Sequence, residues 1–153
     1  MTTIIGIDPG KNGGIASVND VGRVIALPMP PTTRDLYDYI DSLCDRQAIA
    51  FIEQVNAGPS MGSSAAFKFG QIVGEIRMAC IAAGLPTHYV SPMKWQRELG
   101  LLCKGRGLGQ GDTAKKNRNK AKAQELYPGI KITHATADAL LIAEYGRRTR
   151  TIT

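Results

Sequence analysis

Three acidic residues of this chain each stand at the edge of an apolar run. Asp8 closes Ile-Gly-Ile-Asp-Pro-Gly, Glu53 closes Ala-Phe-Ile-Glu-Gln, and Asp138 lies in Ala-Asp-Ala-Leu-Leu-Ile-Ala. A lone carboxylate in such surroundings takes up a proton or a basic partner, because an unpaired buried charge is costly. Three carboxylates that converge on one point instead form an oxygen cage for a hard divalent cation such as Mg²⁺. The fold must therefore either bring these positions together or neutralise each of them separately.

The apolar pattern predicts a layered α/β domain. Strands are predicted at about residues 3–8, 13–18, 23–27, 48–53 and 85–90. Helices are predicted at about residues 32–44, 63–83, 91–99, 113–127 and 133–146. Either Thr32 or Thr33 is suited to cap the first helix, and Pro92 opens the third. Strands that alternate with helices in this way indicate a mixed sheet, and Asp8 and Glu53 meet if their strands are neighbours.

Two of the predicted helices have unusual apolar faces. The last helix is apolar nearly all round, so we expect it to be buried against the sheet. The long helix over about residues 63–83 carries a second apolar edge made of Phe67, Gly70, Gly74 and Met78. Two glycines four residues apart let another helix approach closely. This edge indicates either tight packing within the chain or a dimer seam.

The chain carries a net charge of +6 over 153 residues, and the excess is concentrated. A basic loop and helix are predicted at about residues 102–127, and more arginines stand at 147–150. A polyanion is the natural partner, and the alternative is a solvated face that keeps the protein in solution. The candidate phosphate-binding residues are Lys11, Lys68, Lys104, Arg106, Lys115, Lys116, Arg118 and Lys122. Of these, Lys115, Arg118 and Lys122 share one helical face.

Size and hydropathy indicate a single domain over residues 1–153. No run of about 18 apolar residues is present, and the N-terminus has no charged-then-apolar leader, so we expect a cytoplasmic protein that does not enter a membrane. Trp95 and Tyr89 are expected to pack in the core or at its edge and not to stack on bases.

Five motifs occur in order between residue 3 and about residue 148. They are Ile-Gly-Ile-Asp-Pro-Gly, Phe-Ile-Glu-Gln-Val, Phe-Lys-Phe-Gly-Gln-Ile-Val-Gly, Val-Ser-Pro-Met-Lys-Trp-Gln and Ala-Asp-Ala-Leu-Leu-Ile-Ala-Glu-Tyr. Together they resemble the RuvC family of Holliday junction resolvases, most of all its phage and prophage branch. The resemblance implies a ribonuclease H-like fold with a five-stranded mixed sheet flanked by helices, and a homodimer. It also implies symmetric nicking of four-way DNA junctions, with Asp8, Glu53 and Asp138 as catalytic carboxylates that hold two Mg²⁺ ions, for which Mn²⁺ can substitute.

The chain departs from the family pattern at two positions. Members usually carry an acidic residue or His three positions before the helix aspartate, and here that position is Ala135. His134 lies four residues before Asp138 on the same helix face, and it is a candidate to bind metal, hold the nucleophilic water or protonate a leaving group. The alternative is a helix-capping or surface histidine. Asn56 stands where some members place an aromatic wedge.

Several functions are compatible with these residues. The first is a junction-resolving endonuclease. The second is a nuclease of the same fold that acts on other branched DNA, on flaps or on structured RNA, because an acidic cage binds a phosphodiester and not a shape. The third is a catalytically weak module that binds branched DNA. A nucleotide-binding domain of the actin and sugar-kinase type is disfavoured by length, because that architecture needs two lobes.

Overall fold

The strands form one mixed sheet. The computed structural model describes residues 2–102 and 112–150. Within them the strands are β1 (Thr3–Asp8), β2 (Gly14–Asn19), β3 (Val24–Pro28), β4 (Ile49–Glu53) and β5 (Thr87–Val90). Their order across the sheet is β3-β2-β1-β4-β5. β1, β2 and β3 form an antiparallel meander, whereas β4 is parallel to β1 and β5 is parallel to β4. The predicted neighbourhood of β1 and β4 is confirmed.

The turn between β2 and β3 follows from its sequence. Gly22 adopts a φ of +83°, which a residue with a side chain rarely takes. The Asn19 side-chain oxygen accepts the backbone N–H of Arg23 at 2.7 Å, so the asparagine closes the turn with its own amide group. The turn is thereby held by contacts within the meander itself.

Five helices flank the sheet within residues 2–102 and 112–150. They are α1 (Thr33–Leu43), α2 (Ser63–Ala82), α3 (Pro92–Glu98), α4 (Asp112–Leu126) and α5 (His134–Arg150). The Thr32 hydroxyl accepts the backbone N–H of Asp35 at 3.1 Å, so Thr32 is the cap of α1. None of the helices in the described residues has the length and apolarity that crossing a bilayer requires.

The last helix is longer than predicted. The predicted helix ends at about residue 146, but α5 continues to Arg150. The glycine is there for packing, because a Cβ at Gly146 would collide with the ring of Phe51. Glu144 accepts hydrogen bonds from Arg147 and Arg148 one turn further on, which favours another helical turn. The prediction that the helix ends at 145–146 is therefore wrong.

Apolar side chains cover both faces of the sheet. One face packs against α3, α4 and α5, with Leu140, Leu141 and Ile142 of α5 fully buried. The other face packs against α1 and α2 through residues such as Ile40 and Ile76. Each of these side chains contributes about 1.5–3 kcal/mol by leaving water. The prediction that α5 is buried against the sheet is confirmed.

Candidate active site

Asp8 and Glu53 end neighbouring parallel strands on the same face of the sheet. The register of β1 with β4 places them side by side at the edge where both strands end. Successive side chains of a strand alternate between faces, so Asp8 points the same way as Gly6, and Glu53 the same way as Phe51. Gly6 faces α5, and Phe51 packs on Tyr145 of that helix. Both carboxylates therefore lie on the side that α5 covers.

The helix α5 rests directly on the sheet because glycine faces it twice. A Cβ at Gly6 would collide with the carbonyl oxygen of Ala139, and one at Gly14 would collide with that of Ala135. This close approach places Asp138 within electrostatic reach of both strand carboxylates. The three acidic residues selected from the sequence thus share one location.

The carboxylates of this site are short of positive charge. Burial, and after it the charges of Glu53 and Asp138, raise the pKa of Asp8 to about 8. Burial also raises the pKa of Glu53 and of Asp138, although a hydrogen bond from Trp95 opposes the shift at Glu53 and one from Asn119 opposes it at Asp138. Desolvated carboxylates close to one another favour a bound cation.

Two buried side chains donate to the carboxylates. Trp95 is fully buried and donates its indole N–H to Oε1 of Glu53 at 2.9 Å. Asn119 is 1% exposed and donates Nδ2 to Oδ1 of Asp138 at 2.8 Å. The prediction that Trp95 packs in the core is confirmed, but its hydrogen bond was not foreseen. Each donor fixes one oxygen of its carboxylate.

Sequence reasoning missed Asn119 because the residue lies in a helix dominated by lysine and arginine. A signal was present nonetheless. Lys115, Asn119, Ala123 and Tyr127 recur at four-residue spacing, and three of these four are uncharged. Ala123 is fully buried, so this stripe is the inner face of α4. An asparagine on a stripe of that kind is a candidate for a buried polar contact.

The basic residues of α4 lie in different surroundings. Lys115 and Lys116 are close enough to the carboxylates to oppose the upward shift of the pKa of Asp8. Arg118 is half-buried, and the Lys122 ammonium pairs with Glu125 at 2.9 Å. Two further predicted phosphate ligands, Lys104 and Arg106, lie outside the described residues.

Lys11 and Lys68 are exposed on two segments that meet near the end of β1. A Cβ placed on Gly10 would lie 3.6 Å from the Phe69 ring, so the β1–β2 turn touches the first turns of α2. Lys11 follows Gly10 and Lys68 precedes Phe69 in the sequence. Both lysines therefore belong to segments that lie close to the end of β1, the strand that Asp8 ends.

His134 is the exposed first residue of α5, and its charge acts on Asp138. Ala135 follows it, with its carbonyl oxygen against Gly14. Asn56 is exposed in the loop after β4. His134 thus stands at the solvent edge of the site, one turn before Asp138.

The predicted oxygen cage is not ready-made. Within the part of the chain that the structure describes, no three His, Cys, Asp or Glu side chains are arranged to hold a metal ion together. The three carboxylates interact electrostatically but are not drawn to a common centre. Like charges repel, and Glu53 and Asp138 are each turned towards a hydrogen-bond donor.

The sheet and helices match solved structures of RuvC from Thermus thermophilus. One is a structure of T. thermophilus RuvC in complex with Holliday junction substrate, at a TM-score of 0.64 and 18% identity over 99% of this chain and 98% of that chain. This chain has the RuvC fold. A second Thermus thermophilus RuvC structure gives a TM-score of 0.62 at 18% identity and covers 97% of each chain. The predicted ribonuclease H-like fold is confirmed. No protein-family model and no curated protein matches the sequence.

Within this RuvC fold the carboxylate site is open. A cavity of about 580 Å³ lies at the opposite end of β1, where Ile4, Tyr127, Glu144 and Arg147 contribute to its lining. The three carboxylates do not line that cavity. They stand instead at a partly exposed edge of the sheet, which suits a long polymer better than a small enclosed ligand.

Proposed function

We propose that this chain is a metal-dependent endonuclease that resolves four-way DNA junctions by paired, symmetric nicks. The meeting of Asp8, Glu53 and Asp138 at one edge of a RuvC fold is the observation that carries the proposal. A neighbour of the same fold was solved in complex with a Holliday junction substrate, which supports branched DNA as the substrate class.

The donor chemistry of the site suits divalent cations. Asp8, Glu53 and Asp138 offer the hard oxygen atoms that Mg²⁺ prefers, and Mn²⁺ accepts the same set. The three carboxylates are buried and repel one another, so a bound cation would neutralise unfavourable negative charge. Beside them, the amide oxygen of Asn119 is buried without a hydrogen-bond partner in the described residues. When bound, two such ions supply an activated water and neutralise the leaving 3′ oxygen.

The side chains around the carboxylates position them and handle protons. Trp95 and Asn119 each hold one carboxylate oxygen and leave the other available. The core beneath Trp95 excludes water from the inner side of the site. His134 is exposed one turn before Asp138, and the role proposed for it is to hold or move a proton at the leaving oxygen.

DNA contacts come from basic side chains around the site. Lys115 and Lys116 of α4 lie near the carboxylates, and Lys11 and Lys68 are exposed on segments that meet near the end of β1. Phosphate contacts of this kind release counterions, so junction affinity is expected to fall steeply with salt. The net charge of +6 favours the approach of a polyanion as a whole.

We also propose a homodimer built on the outer edge of α2. Phe67 and Met78 are 69% and 58% exposed. A Cβ on Gly70 or Gly74 would meet nothing within 4 Å among the described residues, so packing within that part of the chain does not account for this edge. Two nicks on strands related by a two-fold axis require two sites with the same symmetry.

The test is a cleavage and binding assay on matched substrates. A synthetic four-way junction, a flap and a linear duplex are incubated with the protein in Mg²⁺, Mn²⁺ or EDTA. Symmetric nicks confined to the junction support the proposal. Equal cutting of flaps supports the broader nuclease, and tight binding without metal-dependent cuts supports the binding module.

The variant Asp8→Asn separates chemistry from binding. It is expected to lose cutting by at least about 100-fold, because a missing carboxylate ligand removes several kcal/mol of transition-state stabilisation. Junction affinity is expected to remain, since the basic surface is unchanged. Asp41→Asn, at an exposed position of α1, is the matched control. Full activity of Asp8→Asn rules out the assigned site.

A further inference from the structure

We propose that Asn119 is an additional member of the cation site, to which its amide oxygen contributes a neutral ligand. The inference rests on the proposed function, because it adds a residue to the same metal site. It concerns α4, a helix whose sequence otherwise indicates only charge.

The first observation is where Asn119 lies. The residue is 1% exposed and donates Nδ2 to Oδ1 of Asp138 at 2.8 Å. Its neighbour Asn117, on the same helix, is exposed. Burying an amide in a helix this polar is costly unless both of its ends find partners. The contact with Asp138 satisfies only the nitrogen end.

The second observation is the oxygen end. Oδ1 of Asn119 is buried and has no hydrogen-bond partner in the described residues. An unsatisfied buried acceptor costs about 1–3 kcal/mol. A divalent cation is the partner that suits this acceptor, because side-chain amide oxygens are hard neutral ligands and three under-compensated carboxylates share the location.

The distances permit a shared ion. The oxygen and nitrogen of an amide are about 2.2 Å apart, so Oδ1 of Asn119 lies within about 5 Å of the Asp138 oxygen that accepts the 2.8 Å bond. Two oxygens bound to one Mg²⁺ at 2.0–2.1 Å are about 3 to 4 Å apart. A small movement of the amide is therefore sufficient to bring it into the coordination sphere.

The neutral charge of asparagine fits its surroundings. Ala135 contributes no side-chain oxygen, and its carbonyl packs on Gly14. A fourth carboxylate beside Asp8, Glu53 and Asp138 would add repulsion to a site whose acids are already desolvated. An amide from α4 adds an oxygen without adding charge.

The experiment measures Mn²⁺ binding to the whole chain without DNA, by isothermal titration calorimetry. Asn119→Leu keeps the volume and loses both amide ends, so binding is expected to weaken about 10- to 100-fold. Asn119→Asp keeps an oxygen, so affinity is expected to stay within a few-fold of the parent or to rise. The matched controls Asn117→Leu and Asn117→Asp are expected to change nothing.

The outcomes separate this inference from the proposed function. If Asn119→Leu binds Mn²⁺ as the parent does, the inference is wrong while the metal site stands. If Asn119→Asp is as weak as Asn119→Leu, the amide only donates to Asp138 and the ligand role is overturned. A parent chain that binds no Mn²⁺ refutes the proposed function and this inference together.

A measurement on the unaltered protein covers the case in which a variant does not fold. In a Mg²⁺ titration followed by ¹⁵N NMR, the side-chain amide signals of Asn119 are expected to shift with saturation. Those of Asn117 are expected to stay in place. Unmoved Asn119 signals at saturating Mg²⁺ overturn the proposal.

Discussion

Glu144 offers the sharpest test of how α5 is held. Its side chain is 2% exposed, and its carboxylate accepts two hydrogen bonds from Arg147 at 2.7 and 2.9 Å and one from Arg148 at 2.8 Å. The Tyr127 hydroxyl, just beyond the end of α4, donates a fourth at 2.7 Å. This cluster ties α4 to the last turns of α5. Removing the charge by Glu144→Gln is expected to loosen that connection.

The magnitude follows from the pKa of Glu144. Burial alone would raise it, but the hydrogen bonds from Arg147, Tyr127 and Arg148 outweigh burial and lower the pKa from 4.5 to about 2. At about 1.4 kcal/mol per tenfold change in proton affinity, the difference corresponds to at most about 3.5 kcal/mol. The Arg147 and Arg148 side chains are 51% and 38% exposed, so water screens part of this interaction. We expect Glu144→Gln to lower the free energy of unfolding by about 2 kcal/mol at pH 7.

The sign of the pH dependence is fixed by the direction of the shift. A lowered pKa gives stability that is present above pH 4.5 and lost as the pH falls towards about 2. The difference between parent and Glu144→Gln is therefore expected to shrink over that range. Other charged groups are present near Glu144 and elsewhere. Asp20 and Arg150 line the cavity that Glu144 also lines, and the carboxylates of the candidate site titrate as well. All of these groups are common to both proteins and largely cancel in the difference.

The assay is urea unfolding followed by circular dichroism at pH 7, 4 and 3. Glu125→Gln is the control, because that glutamate pairs with Lys122 while 66% exposed and should contribute less than about 0.5 kcal/mol. A parent-to-variant difference that is near zero at pH 7, or that stays constant down to pH 3, would refute the reasoning.

Three further changes test the packing, the dimer and the site. Gly6→Ala is expected to lower the free energy of unfolding by about 3 kcal/mol or more, because the added Cβ would meet the backbone of α5. Gly58→Ala, where a Cβ would have nothing within 4 Å, should change that free energy by less than about 0.5 kcal/mol. Equal stabilities of the two variants would show that α5 can shift. Phe67→Ser is expected to raise the dissociation constant of the dimer about tenfold or more in analytical ultracentrifugation. Met93→Ser, which removes a 61% exposed side chain from α3, is expected to leave that constant unchanged. If the two variants have the same dissociation constant, α2 is not part of the interface. Trp95→Phe keeps an aromatic ring but loses the indole N–H that Glu53 accepts. The cleavage rate and the affinity for Mn²⁺ are expected to fall about tenfold, while the far-ultraviolet circular dichroism spectrum is retained. An unchanged cleavage rate would show that this hydrogen bond does not orient the Glu53 carboxylate.

Local signals in the sequence were sufficient for most of the fold. Thr32 marks the start of α1 with its own hydroxyl, and Pro92 opens α3, so those helix starts could be read from short stretches. Short apolar runs indicated the central strands β1 and β2, which are buried on both faces, and 3.6-residue spacing indicated helices that bury one face. Gly146 shows where local sequence is not sufficient to predict a helix end. A glycine near a helix end signals either a stop or a close contact, and only the position of Phe51 in space decides between them.

The candidate site was predictable in part. Asp8, Glu53 and Asp138 could be selected because an unpaired carboxylate beside an apolar run is costly to bury. The donors that hold two of them did not, since Trp95 is 42 residues from Glu53 and Asn119 is 19 residues from Asp138. No local pattern encodes such pairings. The sequence also predicted that these carboxylates form an oxygen cage around a divalent cation. Among the described residues they are not arranged as a ready-made cluster, and the cage stays a prediction.

The contact of α5 with β1 and β2 is made by main chain against main chain at Gly6 and Gly14. No side chain stands between the two backbones. The distance between the Cα atoms of Asp8 and Asp138 is therefore set by this backbone contact and not by the size of the core side chains. Any adjustment that gathers the carboxylate oxygens must therefore come from rotation of the side chains, and not from a shift of α5 against the sheet.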